Sequence, residues 1–192
     1  MRVTLYAGSA LGNRPVYQEA ANAFAKELVA GGHEIVYGGG AAGLMGVVAD
    51  SALAAGGSVT GVMPKHLVDA EVAHRGLTRL HIVDTMHQRK QMMADLADAF
   101  VALPGGVGTA EEILEAWAWL VLGHHTKPMA LLNVEGYWDL LVRMNARMSA
   151  SGFLREQEVN TLAPVGDADE FFQLVRDWEP PPPRWARSES RC

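Results

Sequence analysis

Six short apolar runs alternate with longer helical stretches along nearly the whole chain. Val3–Ala7, Glu34–Tyr37, Ser58–Met63, Arg79–Val83, Ala99–Leu103 and Pro128–Leu132 read as strands. Val16–Ala30, Leu44–Ala55, His87–Ala97, Ala110–Leu122, Gly136–Ala150 and Asp167–Trp178 read as helices. Strands of about five residues separated by helices predict βαβ units and a parallel sheet. Near-continuous apolar strands such as Phe100-Val101-Ala102-Leu103 suit a sheet covered on both faces. The expected architecture is α/β: a three-layer, Rossmann-like, doubly wound parallel sheet with helices on both faces. Residues 1–179 read as a single domain. The Pro180–Pro183 run and the residues after it, including Trp185, read as a stiff spacer and flexible tail over 180–192.

Charge and cysteine content narrow the function classes. The net charge of −6 offers no broad basic field for nucleic acid or an anionic membrane, so neither is an expected partner. Cys192 is the only cysteine, which excludes a disulfide framework, a Cys-rich zinc site and a buried catalytic thiol. No apolar run reaches the roughly 18 residues of a membrane span. The start MRVTLYAGSA reads as a strand and glycine turn rather than a signal peptide, and a cytoplasmic location is expected.

Ligands of open α/β sheets bind beyond the carboxyl ends of the strands. Three glycine-rich turns are expected there: Gly8–Gly12, Gly38–Gly43 and Gly105–Thr109. Each follows a strand and precedes a helix, whose free N–H groups and partial positive charge suit a phosphate. Tight turns also need glycine for conformation alone, but three at one rim point to an anionic, nucleotide-like ligand. The second turn formally satisfies G-x-G-x-x-G. The region about 20 residues on, Ser58–Met63, holds no acid for a ribose hydroxyl, which disfavours a nicotinamide dehydrogenase. A phosphate-loop NTPase is disfavoured because G-x-x-x-x-G-K-[ST] is absent.

The third turn continues as Pro104-Gly105-Gly106-Val107-Gly108-Thr109-Ala110-Glu111-Glu112, and upstream stands Met86-His87-Gln88-Arg89-Lys90. This pairing of P-G-G-x-G-T-x-x-E with M-H-x-R-K resembles the Lonely Guy family of cytokinin riboside 5′-monophosphate phosphoribohydrolases, long mislabelled lysine decarboxylases. The similarity runs from the first strand to about Asn133, through Gly8-Ser9, Tyr37–Gly40, Gly43–Gly46 and Val62–Pro64, and then fades. It implies hydrolysis of the N-glycosidic bond between a purine and ribose 5-phosphate, with no cofactor and with water as second substrate. It implies Arg89 and Glu112 as the catalytic pair, and Gly105, Gly106, Val107, Gly108 and Thr109 as the phosphate cradle. Ser9, Gly39, Gly40, Met45, Glu71 and Lys90 are the further substrate contacts it marks. It also implies a homodimer with the active site near the interface.

The residues carry that chemistry on their own terms. Cleavage builds positive charge on the ribose, which a carboxylate near the anomeric carbon stabilises while it orients or deprotonates water. Arg89 supplies a permanent forked charge for phosphate or leaving base. A competing reading is open for Glu112, because Thr109-Ala110-Glu111-Glu112 also fits a helix capping box. Arg89-Lys90 fits an ordinary polar helix face, and Trp117–Leu122 fits a core or dimer seam. The seven histidines lack metal-ligand spacing, so no metal is expected. Lys26, Lys65, Lys90 and Lys127 have no pyridoxal framework around them. One departure stands out: where family members carry T-W-x-Q-L-G, this chain reads Ala118-Trp119-Leu120-Val121-Leu122-Gly123, which bears on the preferred purine more than on the reaction. AMP and N6-substituted AMP are the expected substrates. The alternatives are a relative preferring IMP or GMP, and a non-catalytic nucleotide sensor or carrier.

Overall fold

Strand residues alternate between two apolar layers, and that alternation builds the molecule. The computed structural model describes residues 1–70 and 72–184. Its strands are β1 (Arg2–Tyr6), β2 (Glu34–Tyr37), β3 (Val59–Pro64), β4 (Arg79–Val83), β5 (Ala99–Ala102), β6 (Met129–Leu132) and β7 (Ala163–Val165). Its helices are α1 (Pro15–Ala30), α2 (Gly43–Ala54), α3 (Lys65–Asp69), α4 (Met86–Leu96), α5 (Val107–Leu122), α6 (Asp139–Ala150), α7 (Glu156–Val159) and α8 (Ala168–Arg176).

Val3, Leu5, Ile35, Val101 and Ala130 face one layer, where they meet α1, α2 and α8 through Phe24, Val48 and Phe171. Tyr6, Val36, Phe100, Ala102 and Leu131 face the other, against α4, α5 and α6 through Met93, Ile113 and Trp117. The period of two along each strand decides this division. All pairings among the seven strands are parallel, in the order β4-β3-β2-β1-β5-β6-β7. The order reverses between β1 and β5, so the turns leaving those two strands diverge and open a crevice. This is the doubly wound sandwich expected.

Several boundaries differ from expectation. Strand β7 has only three residues, too few to show alternation. The stretch expected as one helix over 136–150 is broken: a 3-10 turn spans Val134–Gly136 with positive φ at Glu135 and Gly136, and α6 starts at Asp139. Helix α5 starts at Val107 rather than Ala110. Part of the segment read as a tail lies on the domain: Arg155 Nη2 donates to Pro182 O at 2.9 Å, and Arg184 N donates to Val121 O at 3.3 Å. Trp185 lies outside the described residues. Among the described residues, no helix is long and apolar enough to cross a membrane.

Candidate active site

The glycine turn after β5 feeds directly into α5. The N-cap is Gly106, which makes no side-chain cap, and Ala110 N is the first amide to find a helical carbonyl, on Gly106. The N–H groups of Val107, Gly108 and Thr109 therefore precede the helical ladder, as the first amides of a helix must. No side-chain atom stands within 4 Å of where a Cβ would project at Gly106 or Gly108, so the approach to this helix end is open. Thr109 lies inside the first turn, and the capping box read at Thr109–Glu112 does not form. Glu112 is thereby released from a capping role.

The other two glycine turns do different work. The amides of Leu44 and Met45, at the start of α2, donate to Ala10 O and Gly8 O, both at 3.3 Å. That helix end is occupied by the turn after β1 rather than left for an anion. Gly43, at φ +62°, makes the contact: a Cβ there would sit 2.2 Å from the Ser9 carbonyl carbon. Gly39 and Gly40 are covered by the strand-like passage at Ala73, with His74 N donating to Gly39 O at 2.8 Å.

A cavity of 330 Å³ lies against the α5 end. It brings together Ser9, Met45, Arg89, Gly106, Val107, Gly108, Thr109 and Glu112, with Ala7, Met86 and Glu111 beside them. Gly39, Gly40, Gly105 and Lys90 do not line it. Gly105 supports the cradle from below, because a Cβ there would meet Thr109 Oγ1 at 2.1 Å and Gly8 N at 2.8 Å. Glu71 lies outside the described residues.

Arg89 and Glu112 face each other across this cavity. Arg89 Nη1 stands 3.4 Å from Glu112 Oε1, and the two side chains are only 11% and 10% exposed. Arg89 Nε donates to Val62 O at 3.2 Å, which anchors the guanidinium to the end of β3. Its Nη2 lies where a side chain on residue 38 would have to go, 1.9 Å from an ideal Cβ, so any larger residue than Gly38 would push the guanidinium out of this position. Burial raises the pKa of Glu112 above the ordinary carboxylate range, against the opposing pull of Arg89. Burial likewise raises the Tyr6 hydroxyl, with Glu112 and Glu115 adding to it, so Tyr6 is a neutral neighbour.

A real capping box sets the start of α4. Thr85 accepts from Gln88 N, and Gln88 Oε1 accepts from Thr85 N, both at 3.1 Å. Arg89 is the next residue, so the box fixes the turn that carries it. The sequence signal was present as T-x-x-Q just ahead of the arginine. Thr85→Ala is expected to lower stability by about 1 kcal/mol, read as a fall of about 3 °C in melting temperature.

A family model described as "Possible lysine decarboxylase" matches residues 45–175. "Probable cytokinin riboside 5'-monophosphate phosphoribohydrolase LOGL1" of Oryza sativa subsp. japonica is 42% identical over 194 residues, covering 98% of this chain and 87% of its own. Cytokinin riboside 5'-monophosphate phosphoribohydrolase LOG2 of Arabidopsis thaliana is 39% identical over 179 residues, covering 93% and 84%. The chain belongs to the Lonely Guy family. The Lonely Guy relatives bear the phosphoribohydrolase name, and the decarboxylase description finds no support in this cavity, which no lysine lines. The Lonely Guy fold also matches the molybdenum cofactor carrier protein of Chlamydomonas reinhardtii, at TM-score 0.68 and 18% identity over 91% of this chain and 95% of that one. At that identity the likeness is one of fold alone.

Proposed function

We propose that this chain hydrolyses the N-glycosidic bond of purine nucleoside 5′-monophosphates, AMP and N6-substituted AMP of the cytokinin type, to free base and ribose 5-phosphate. The observation that carries this reading is the buried Arg89–Glu112 pair beside an open helix N-terminus. A 5′-phosphate on the Val107–Thr109 amides is favoured by their free N–H groups and the helix dipole. At 1.5 Å rise per residue, Glu112 stands about 4.5 to 7.5 Å further along α5 than those amides, within reach of a ribose attached to the phosphate. Its carboxylate then faces the anomeric carbon. It stabilises the cationic ribose and takes a proton from the attacking water. Water oxygen bonds to C1′, the C1′–N bond breaks, and the base leaves with the bonding electrons and gains a proton. The fixed guanidinium of Arg89 steadies the charge on the leaving base or the phosphate.

The ionised form of Glu112 is the working form, and its raised pKa sets the acid side of the reaction. The rate kcat/KM is expected to fall with acid at a pH above the ordinary glutamate value of about 4.3. A pH–rate profile with AMP, N6-isopentenyl AMP, IMP and GMP tests both points. The expected order puts the two adenine nucleotides first. An inosine or guanine preference would replace the adenine reading, and binding of all four without base release would favour a nucleotide carrier.

The exposed face of α5 supports a homodimer. Leu114 and Leu122 are 36% and 45% exposed on the same face of α5 as the exposed Ala118, so an apolar patch covers the later half of the helix. Leu114→Glu is expected to turn a dimer into a monomer in sedimentation; unchanged mass would remove this patch from the interface.

A further inference from the structure

Lys90 resembles a substrate contact by its place in the motif, yet it turns away from the cavity. It is 8% exposed, and its ammonium is bonded to Glu111 and, at 3.0 Å, to Glu115 Oε2. The two glutamates lie one turn apart on α5 and the lysine lies on α4. Arg89 precedes Lys90, and Glu112 follows Glu111. Three ion-pair contacts therefore cross one α4–α5 seam: Arg89–Glu112 in the cavity, Lys90–Glu111 at its edge and Lys90–Glu115 behind it.

We propose that Lys90 is a positioning residue rather than a nucleotide ligand: by clamping Glu111 and Glu115 it fixes α4 against α5 in the register that sets Arg89 against Glu112. This rests on the hydrolase reading for its effect on rate, but not for its effect on geometry or charge. The groups around Glu112 are Arg89 and Lys90 from α4, Glu111 and Glu115 from α5, and Tyr6 from β1. Burial raises the Glu112 pKa most, the two cations pull it down against that, and the two glutamates add to the rise. Without Lys90, two carboxylates flank Glu112 with their cation gone, a costly arrangement in a partly buried seam. The seam then opens, or Glu112 takes up a proton, and either outcome slows turnover.

The test compares wild type with Lys90→Met, Lys90→Arg and the triple variant Lys90→Met/Glu111→Gln/Glu115→Gln. Three quantities are read: AMP affinity by calorimetry, kcat and KM for base release, and titration of the Glu112 carboxyl by carbon-13 NMR. For Lys90→Met, affinity is expected to stay within about threefold while kcat falls at least about tenfold. The Glu112 titration moves to higher pH in the same variant. Lys90→Arg, which keeps the charge, retains most of the rate. The triple variant, which removes the stranded carboxylates, moves the titration back. AMP binding weakened at least about tenfold with the Glu112 titration unmoved would make Lys90 a nucleotide contact and overturn the proposal. Unchanged values throughout would overturn it as well. If Lys90→Met does not fold, the arginine and triple variants carry the same readings. If wild type releases no base, the hydrolase reading falls, while affinity and titration still decide the role of Lys90.

Discussion

Glu112→Gln and Arg89→Ala are each expected to lose at least about 100-fold in kcat/KM for base release, about 2.7 kcal/mol of transition-state stabilisation. Far-ultraviolet circular dichroism should stay that of wild type, because neither side chain caps a helix. Glutamine matches the glutamate in size, so its effect isolates the charge. Stability should move the other way from activity. Burial lifts the pKa of folded Glu112 above its unfolded value, so the folded chain binds more protons between the two. Stability contributed by this group is therefore greatest below the unfolded value and declines as pH rises through the folded one. At pH 8 the carboxylate is a burden on the fold, and Glu112→Gln should melt no lower than wild type. A variant that lost activity and melted well below wild type would make Glu112 a structural residue.

Gly43→Ala is expected to cost about 3 kcal/mol, from a left-handed backbone at about 1–2 kcal/mol and overpacking at about 1–3 kcal/mol. The φ of +62° and the 2.2 Å approach to the Ser9 carbonyl carbon leave the new methyl no soft neighbour to displace. In a chain of this size that is a fall of about 10 °C in melting temperature. Activity should fall with it, because the backbone that must yield carries Ser9 into the cavity. Gly32→Ala is the matched control: its φ is also positive, but nothing lies within 4 Å of its Cβ position. It should cost only the backbone share. Equal losses in the two variants would show that the Ser9 contact adds nothing.

The fold was largely legible because both faces of the sheet are covered. Runs such as Phe100–Leu103 declare a buried strand, and the alternation with helices marked the sheet as parallel, while the order of its strands came only with the structure. Strand β7 was not legible, since Ala163-Pro164-Val165 is too short for a period and contains proline. The motifs marked Arg89, Glu112 and the turn between Gly106 and Thr109, and the structure gathers these around one cavity. What the motifs do not encode is which way a side chain turns. Lys90 sits beside the arginine in sequence, yet its side chain turns away from the cavity to the glutamates of α5. Two segments match a capping box by letters, and only Thr85–Gln88 forms one. Val107-Gly108 look like loop residues by propensity, yet they open α5 directly after the extended N-cap Gly106. The need for Gly38 arises from the guanidinium packed on it, a contact between residues 51 positions apart.

The claim that this chain catalyses glycosidic hydrolysis is tested most directly by product analysis in oxygen-18 water. With AMP and with N6-isopentenyl AMP, the account predicts free base and ribose 5-phosphate in equal amounts, with the heavy oxygen on the anomeric carbon of the sugar. Release of inorganic phosphate with the nucleoside left intact, or tight binding with no product at all, would contradict it.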